Sequence, residues 1–177
     1  MSEKFETLLK VIDSLKIPSM LSLFEGNKDR FCKAPASSKY HGSYPGGLID
    51  HTMLVMSICT YLYKFDTKNI KGTTHESLIK CAALHDFGKV GTKEQDFYIP
   101  DPSSQKYIQN KNDIHLDHEH LSLYWINLYS IPLTAEEIKC ISYHAGSYSP
   151  AFTLYKETPQ HILLSTADNM AAKIYNI

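Results

Sequence analysis

Apolar residues recur at helical spacing over nearly the whole chain. Phe5, Leu8, Leu9, Ile12 and Leu15 fall at i, i+3, i+4, i+7 and i+10, one stripe on a first helix. Pro18 interrupts it, and a short apolar piece follows through residues 20–24. Residues 27–47 lose the pattern in a polar connection rich in Lys, Ser, Gly and Pro, and the period returns at Leu48 and runs to about Phe65. Thr73 and Glu76 have the S/T-x-x-E spacing of a capping box, which predicts a helix through Leu78, Cys81, Ala82 and His85 that Gly88 stops. A further helix is predicted from about His118 through Ile126. Thr134 and Glu137 form a second capping box, whose helix should end at Ala145 and Gly146. Thr158 followed by Pro159 reads as an N-cap with proline at the first helical position, opening a last helix that reaches Lys173. Between the helices, residues 92–117 carry no sustained helical period. Two short β-like runs, 97–99 and 106–108, flank Pro100, Asp101, Pro102, Ser103 and Ser104, which suggests a short hairpin or a surface excursion. The expected fold is all-α with one irregular insertion.

A length of 177 residues suits one domain, large enough to bury a core without disulfides or a structural metal. The hydrophobic fraction is 43%, yet the apolar runs near residues 53–56 and 82–84 are far short of the roughly 20 residues a bilayer span requires. The first residues lead into a polar helix pattern and not a signal-peptide core. A membrane-spanning protein is thus ruled out, and no membrane partner and a cytoplasmic location are expected. With 18 basic against 19 acidic residues the net charge is −1, which disfavours stable binding of duplex nucleic acid. Four cysteines without a C-x-x-C pair read as buried thiols. The nine histidines are the unusual feature.

Several of them sit where a helix should face inward. His51 shares a face with Val55, Ile58 and Leu62, His85 with Leu78, Cys81 and Ala82, and His144 follows Cys140 and Ile141 by four and three positions. Asp168 follows Leu164 by four on a helix whose other inward positions are the small Ala167, Ala171 and Ala172. A lone histidine on an apolar face is more often an ordinary core residue. A buried carboxylate is different, because without a partner or a metal its desolvation is prohibitive. Histidines and aspartates facing one helical core point to a shared cation, and adjacent His85 and Asp86, about 100° apart on a helix, can approach an ion from two sides. Imidazole with carboxylate suits Zn, Mn, Fe or Ni better than Ca.

These residues carry a resemblance. His51, in the stretch His41-Gly42-Ser43-Tyr44-Pro45-Gly46-Gly47-Leu48-Ile49-Asp50-His51-Thr52, then His85-Asp86-Phe87-Gly88-Lys89, then Asp168 in Ser165-Thr166-Ala167-Asp168-Asn169, follow the H…HD…D order of the HD-domain metal-dependent phosphohydrolases. The stretch from Tyr40 to His51 is similar to the HD domain of bacterial 3′–5′ exoribonucleases and of small phage-encoded HD hydrolases. The resemblance covers roughly residues 30–173 and implies an HD-type helical core there, with residues 1–29 as an N-terminal helical extension of a single 1–177 domain. It further implies a first ion held by His51, His85, Asp86 and Asp168. Two more segments, around His118 (with His120 as the alternative) and around His144, resemble those that supply a second ion, with Asp86 bridging. The implied cofactor is one or two divalent transition-metal ions (Mn, Fe, Ni, Co or Zn).

Lys89, one turn beyond His85 and Asp86, is either placed to reach a phosphate oxygen or a solvated lysine at a helix end. His41 and Tyr44 are candidates for the mouth of the site, His120 for a substrate contact, and Tyr98 and Tyr107 for a base-stacking lid over it. His75, His115 and His161 read as surface or cap residues, and Glu136-Glu137 as a helix start. The resemblance implies hydrolysis of a phosphate ester of a small nucleotide by metal-activated water, with Asp86, Lys89 and His118 as the catalytic residues. The alternatives are a phosphodiesterase or exonuclease on cyclic or short oligonucleotides, a di-iron oxygenase, or a non-catalytic nucleotide-binding protein. Self-association is left open.

Overall fold

A computed structural model describes residues 2–65, 67, 69–104, 106–145 and 157–175. Among these, eight α-helices run in the order α1 (Ser2–Ser14), α2 (Pro18–Gly26), α3 (Lys28–Phe31), α4 (Gly47–Phe65), α5 (His75–Leu84), α6 (His118–Leu128), α7 (Ala135–Tyr143) and α8 (Pro159–Lys173). A 3-10 turn at Phe87–Val90 follows α5, and a two-stranded antiparallel hairpin, β1 (Tyr98–Pro100) with β2 (Tyr107–Gln109), lies between that turn and α6. No helix among the described residues is long and apolar enough to cross a membrane.

The predicted stripe forms the core. Phe5, Leu8 and Ile12 of α1 and Met20, Leu23 and Phe24 of α2 are buried in one apolar cluster with residues of α4, α5, α6, α7 and α8. Inside it the rings of Phe24, Phe31 and Phe87 lie 5.0–5.5 Å apart, which joins the start of the chain to the His-Asp turn. Helix α4 packs along α8 and α5, and α7 meets α5, α6 and α8. All four cysteines are buried and free.

Caps set the helix starts. Thr134 and Glu137 bond reciprocally as a full capping box, and Thr158 caps α8 with Pro159 at its first position. The cap of α5 is Thr74, whose hydroxyl accepts from Ser77 N–H. Thr73, expected to hold that role, instead hydrogen-bonds Gln160 Oε1 on α8. Helix α5 also stops sooner than expected, at Leu84, with His85 at the cap and the chain tightening into the 3-10 turn. The connection over residues 27–47 contains α3, one short turn. Helix α7 ends at Tyr143, and Gly146 lies outside the described residues.

Two close approaches explain glycines near the site. A Cβ on Gly88 would lie 2.0 Å from His118 O and 2.5 Å from Ser122 N. Gly88 therefore lets the first turn of α6 press onto the His-Asp turn, a different role from stopping a helix. The contact is sealed by Ser122, whose hydroxyl accepts from Gly88 N–H at 2.8 Å and donates to His85 O at 2.9 Å. In the loop before α4, Gly42 has φ +57°, and a Cβ on Gly47 would fall 1.9 Å from Gly42 O.

The hairpin turn is shaped by Asp101, whose carboxylate accepts from Ser103 N–H, Ser103 Oγ and Ser104 Oγ. Tyr107 N–H then donates to Ser38 O and Lys106 Nζ to Lys39 O. The insertion is thereby docked against the loop that leads into α4.

Candidate metal centre

Five helices deliver polar residues to a single place. His51 comes from the early turns of α4, His85 from the cap of α5 with Asp86 beside it, His118 from the start of α6, His144 from the cap of α7 and Asp168 from α8. His51 Nε2 lies 3.0 Å from Asp168 Oδ1 and 3.3 Å from Asp86 Oδ2. His85 Nε2 is 3.4 Å from Asp86 Oδ2 and 3.9 Å from Asp168 Oδ1. The other oxygen of Asp86 faces elsewhere: Oδ1 is 3.3 Å from His118 Nε2 and 3.6 Å from His144 Nε2. The residues thus form two groups, His51-His85-Asp86-Asp168 and Asp86-His118-His144, each offering donor atoms within 4.8 Å of one another. Asp86 belongs to both, one oxygen to each.

Three of the histidines are aimed by what their far nitrogens bind, whereas Nδ1 of His51 is buried without a hydrogen-bond partner. His85 Nδ1–H donates to Ala82 O at 2.8 Å and His144 Nδ1–H to Ile141 O at 2.7 Å, in each case a carbonyl three residues back on the same helix. That fixes the tautomer and leaves Nε2 as the free donor to the centre. His118 Nδ1 is 3.1 Å from Glu119 Oε2. Glu119 is only 8% exposed and was not among the sequence candidates. As an acidic residue in the first turn of α6 it reads like ordinary dipole compensation, and its burial against His118 has no signal in the sequence.

The donor set fits an ion. His51 Nε2, His85 Nε2 and Asp86 Oδ1 are fully buried and make no hydrogen bond of acceptable geometry, and orphaned buried polar atoms are rare and costly. A divalent cation in the first group would satisfy the two nitrogens and one in the second the Asp86 oxygen, and these buried His and Asp groups could hold metal. The field is strong without it. Burial works against a charged Asp86, but Lys89 and the surrounding histidines hold its carboxyl well below the usual range. Asp168 is likewise held low against its burial by His51. Burial pushes His85 down to about 4 and His118 to about 3. Burial works against a charged His144 as well, but the neighbouring Asp86 carboxylate carries it the other way, to about 9.

The remaining sequence candidates separate. Lys89 is not solvated: it is 8% exposed, with Nζ 2.5 Å from Asp86 Oδ2. His41 packs its ring, tilted, 4.8 Å from that of His51, and burial lowers it to about 4. Tyr98 is half-buried beside Phe97, whose ring lies 6.2 Å from that of His118, and Tyr107 sits on the facing strand. Two candidates lie apart from the cluster. Tyr44 is exposed and donates its hydroxyl to Asp50, and His120 is exposed, its Nδ1 2.6 Å from Asp117 Oδ1. Of His118 and His120, only His118 reaches Asp86, because the N-cap Asp117 holds His120 on the outer side of the first turn. His115 is exposed as expected and His75 opens α5. His161 is a correction: it is 1% exposed, with Nε2–H donating to Tyr143 O.

In an alignment of 126 positions that covers 67% of the chain, it is 31% identical to the dihydroneopterin 2′,3′-cyclic phosphate phosphodiesterase of Methanocaldococcus jannaschii. The match covers 44% of that protein, so the chain spans less than half of its relative's length. No family model matches the chain, and no solved structure does. The buried His/Asp cluster fits an H…HD…D motif.

Proposed function

We propose that the chain is a metal-dependent hydrolase of phosphate esters in small nucleotide-like molecules, working on two divalent ions that share Asp86. The observation that carries the reading is the division of Asp86 between two groups of buried donors, Oδ2 toward His51 and His85, Oδ1 toward His118 and His144. His51, His85, Asp86 and Asp168 would hold one ion, and Asp86, His118 and His144 the other. Imidazole with carboxylate suits Mn, Fe, Co, Ni or Zn. When bound, such ions lower the pKa of water from 15.7 toward about 7 and polarise phosphoryl oxygens.

The chain's own residues do the rest. Three backbone-held or carboxylate-held imidazoles present Nε2 without reorganisation. Lys89, kept protonated because the charge of Asp86 outweighs its burial, offers an ammonium to a phosphoryl oxygen beside the shared carboxylate. His41, neutral and packed on His51, closes the centre on the side of the loop before α4.

The relative's name favours a second, narrower reading, cleavage of a cyclic phosphodiester. One screen tests both: purified protein loaded in turn with Mn, Co, Ni, Zn and Mg, assayed on bis-p-nitrophenyl phosphate, p-nitrophenyl phosphate, 2′,3′-cyclic nucleotides and nucleoside monophosphates. Turnover of the diesters with little of the monoesters supports the cyclic reading, and the reverse supports a phosphomonoesterase. No turnover with any metal refutes both, and iron content with an oxygen-dependent product would assign the centre to oxygenase chemistry instead.

A further inference from the structure

The hairpin register pairs Tyr98 with Gln109, Ile99 with Ile108 and Pro100 with Tyr107. Since side chains alternate across a strand, Tyr98, Pro100 and Tyr107 share one face and the two isoleucines take the other. That aromatic face, together with Ala34, Pro35 and Pro45 from the loop before α4, lines a cavity of about 520 Å³, inside the range of small-molecule sites. The docking of Tyr107 N–H on Ser38 O holds hairpin and loop together along it. One wall is therefore two phenol rings and a proline, and others are two prolines and an alanine, all short or rigid groups.

The charged lining is positioned as well. Lys89 lines the cavity, and its Nζ is 2.5 Å from Asp86 Oδ2, so the cavity adjoins the candidate centre through this one residue. Arg30, another lining residue, is locked in place: its guanidinium donates to the carbonyls of Val90, Thr92 and Gln95 and to Asp96 Oδ1. Lys33 adds a third cation and Asp29 and Asp96 supply acceptors. A rigid aromatic and proline-lined space that leads to a cation beside the centre is complementary to a flat ring bearing a phosphate.

We propose that this cavity seats the planar heteroaromatic ring of the nucleotide-like substrate, with the ring between the tyrosine face of the hairpin and the proline-bearing loop. The proposal rests on the hydrolase reading and adds to it the place where the ring is held. It also accounts for the insertion, since the hairpin supplies the ring's site while the helices supply the donors for the phosphate.

Two measurements test it separately from that reading. In the first, kcat/KM of the Mn-loaded protein is compared for 2′,3′-cyclic AMP and for the cyclic phosphate of ethylene glycol, which has no ring system. Stacking of a base on aromatic side chains is worth about 1–3 kcal/mol, so Tyr107→Ala should lower the preference for cyclic AMP by about 5- to 150-fold, and Tyr107→Phe should restore it. Equal kcat/KM for the two esters in the wild type, or an unchanged ratio in Tyr107→Ala, overturns the proposal. In the second, binding of 2-aminopurine riboside 5′-monophosphate is followed by fluorescence, with no turnover needed. Quenching in the wild type that is lost in Tyr107→Ala and kept in Tyr107→Phe supports the cavity even if no ester is hydrolysed, in which case only the hydrolase reading falls. No quenching in the wild type, or equal quenching in Tyr107→Ala, overturns the cavity while leaving any measured hydrolysis standing.

Discussion

Gly88→Ala should separate the two halves of the centre. The added Cβ would stand 2.0 Å from His118 O, 2.5 Å from Ser122 N and 2.7 Å from Leu121 Cβ. Two of these are backbone atoms, so no rotamer change relieves them, and α6 must retreat by roughly 1 Å to restore a separation near 3.0 Å. Overpacking of this kind costs about 1–3 kcal/mol. The retreat also strains the relay from Gly88 N–H through Ser122 Oγ to His85 O, at 2.8 and 2.9 Å, where each bond is worth about 1 kcal/mol. Together the loss is about 3–5 kcal/mol, a fall in Tm of about 6–20 °C for a domain of this size. The functional effect is selective. His118 rides on the displaced turn, and a ligand moved by 1 Å leaves the roughly 0.5 Å tolerance of a working site, whereas His51, His85 and Asp168 stand on other elements. The variant should therefore keep one tightly held ion and lose the other, read by thermal melting and by calorimetric titration of Mn into chelator-stripped protein. Ser122→Ala is the control: it removes the relay without a clash, so it should lower Tm less and retain both ions. A Gly88→Ala protein with wild-type Tm that still binds two ions at wild-type affinity would refute the account of α6 and of His118 together.

Asp86→Ala should remove both ions and all activity, while His118→Ala should remove one ion and leave the other; elemental analysis after saturation with Mn checks this, and a wild type that holds a single ion refutes the shared carboxylate. Glu119→Gln should weaken the ion at His118 about 10- to 100-fold through loss of the charged partner on Nδ1, with the other ion unchanged, and wild-type affinities for both ions in titration would return Glu119 to a plain helix-start residue. In chelator-stripped protein, stability should peak near pH 6.5. Below it the unfolded chain takes up protons that His85 and His118, held at about 4 and 3, refuse; above it His144, raised to about 9, keeps a proton that the unfolded chain loses. Each pKa unit of difference is worth about 1.4 kcal/mol, so urea melts at pH 5, 6.5 and 8.5 should show the maximum in the middle, and a flat profile would refute the buried, mutually biased cluster.

Much of the architecture was legible because it depends on period and caps. The stripe from Phe5 to Leu15, the run from Leu48 to Phe65 and the caps at Thr134 and Thr158 all lie where local chemistry decides the structure. The convergence of His51, His85, His144 and Asp168, with Asp86 beside His85, was also readable, since polar side chains on otherwise apolar faces need a common partner, whereas His118 was reached only through the resemblance. The logic of caps failed at α5, where the spacing to Glu76 favours Thr73 but Thr74 takes the cap and Thr73 instead bonds Gln160, 87 residues along the chain. His161 looked like a cap-region residue because it follows Thr158 and Pro159, but the packing of α8 on α7 buries it.

Lys89 shows most clearly where sequence reasoning ran out. At the end of a helical run a lysine has a good local reason to be there, the negative end of the helix dipole, and its side chain would then lie in water. What overrides this is the early stop of α5 at Leu84 and the tighter 3-10 turn that follows, which carries Lys89 inward instead of along the helix surface. A buried ammonium is tolerable only with a counter-charge in contact, and Asp86 provides it at 2.5 Å. The same contact has a consequence for Asp86: with one oxygen shared among Lys89, His51 and His85 and the other facing His118 and His144, the carboxylate has no rotational freedom left. The lysine therefore holds in orientation the one residue common to both donor groups while also lining the neighbouring cavity. That arrangement follows from one shortened helix that no periodicity in the sequence announces.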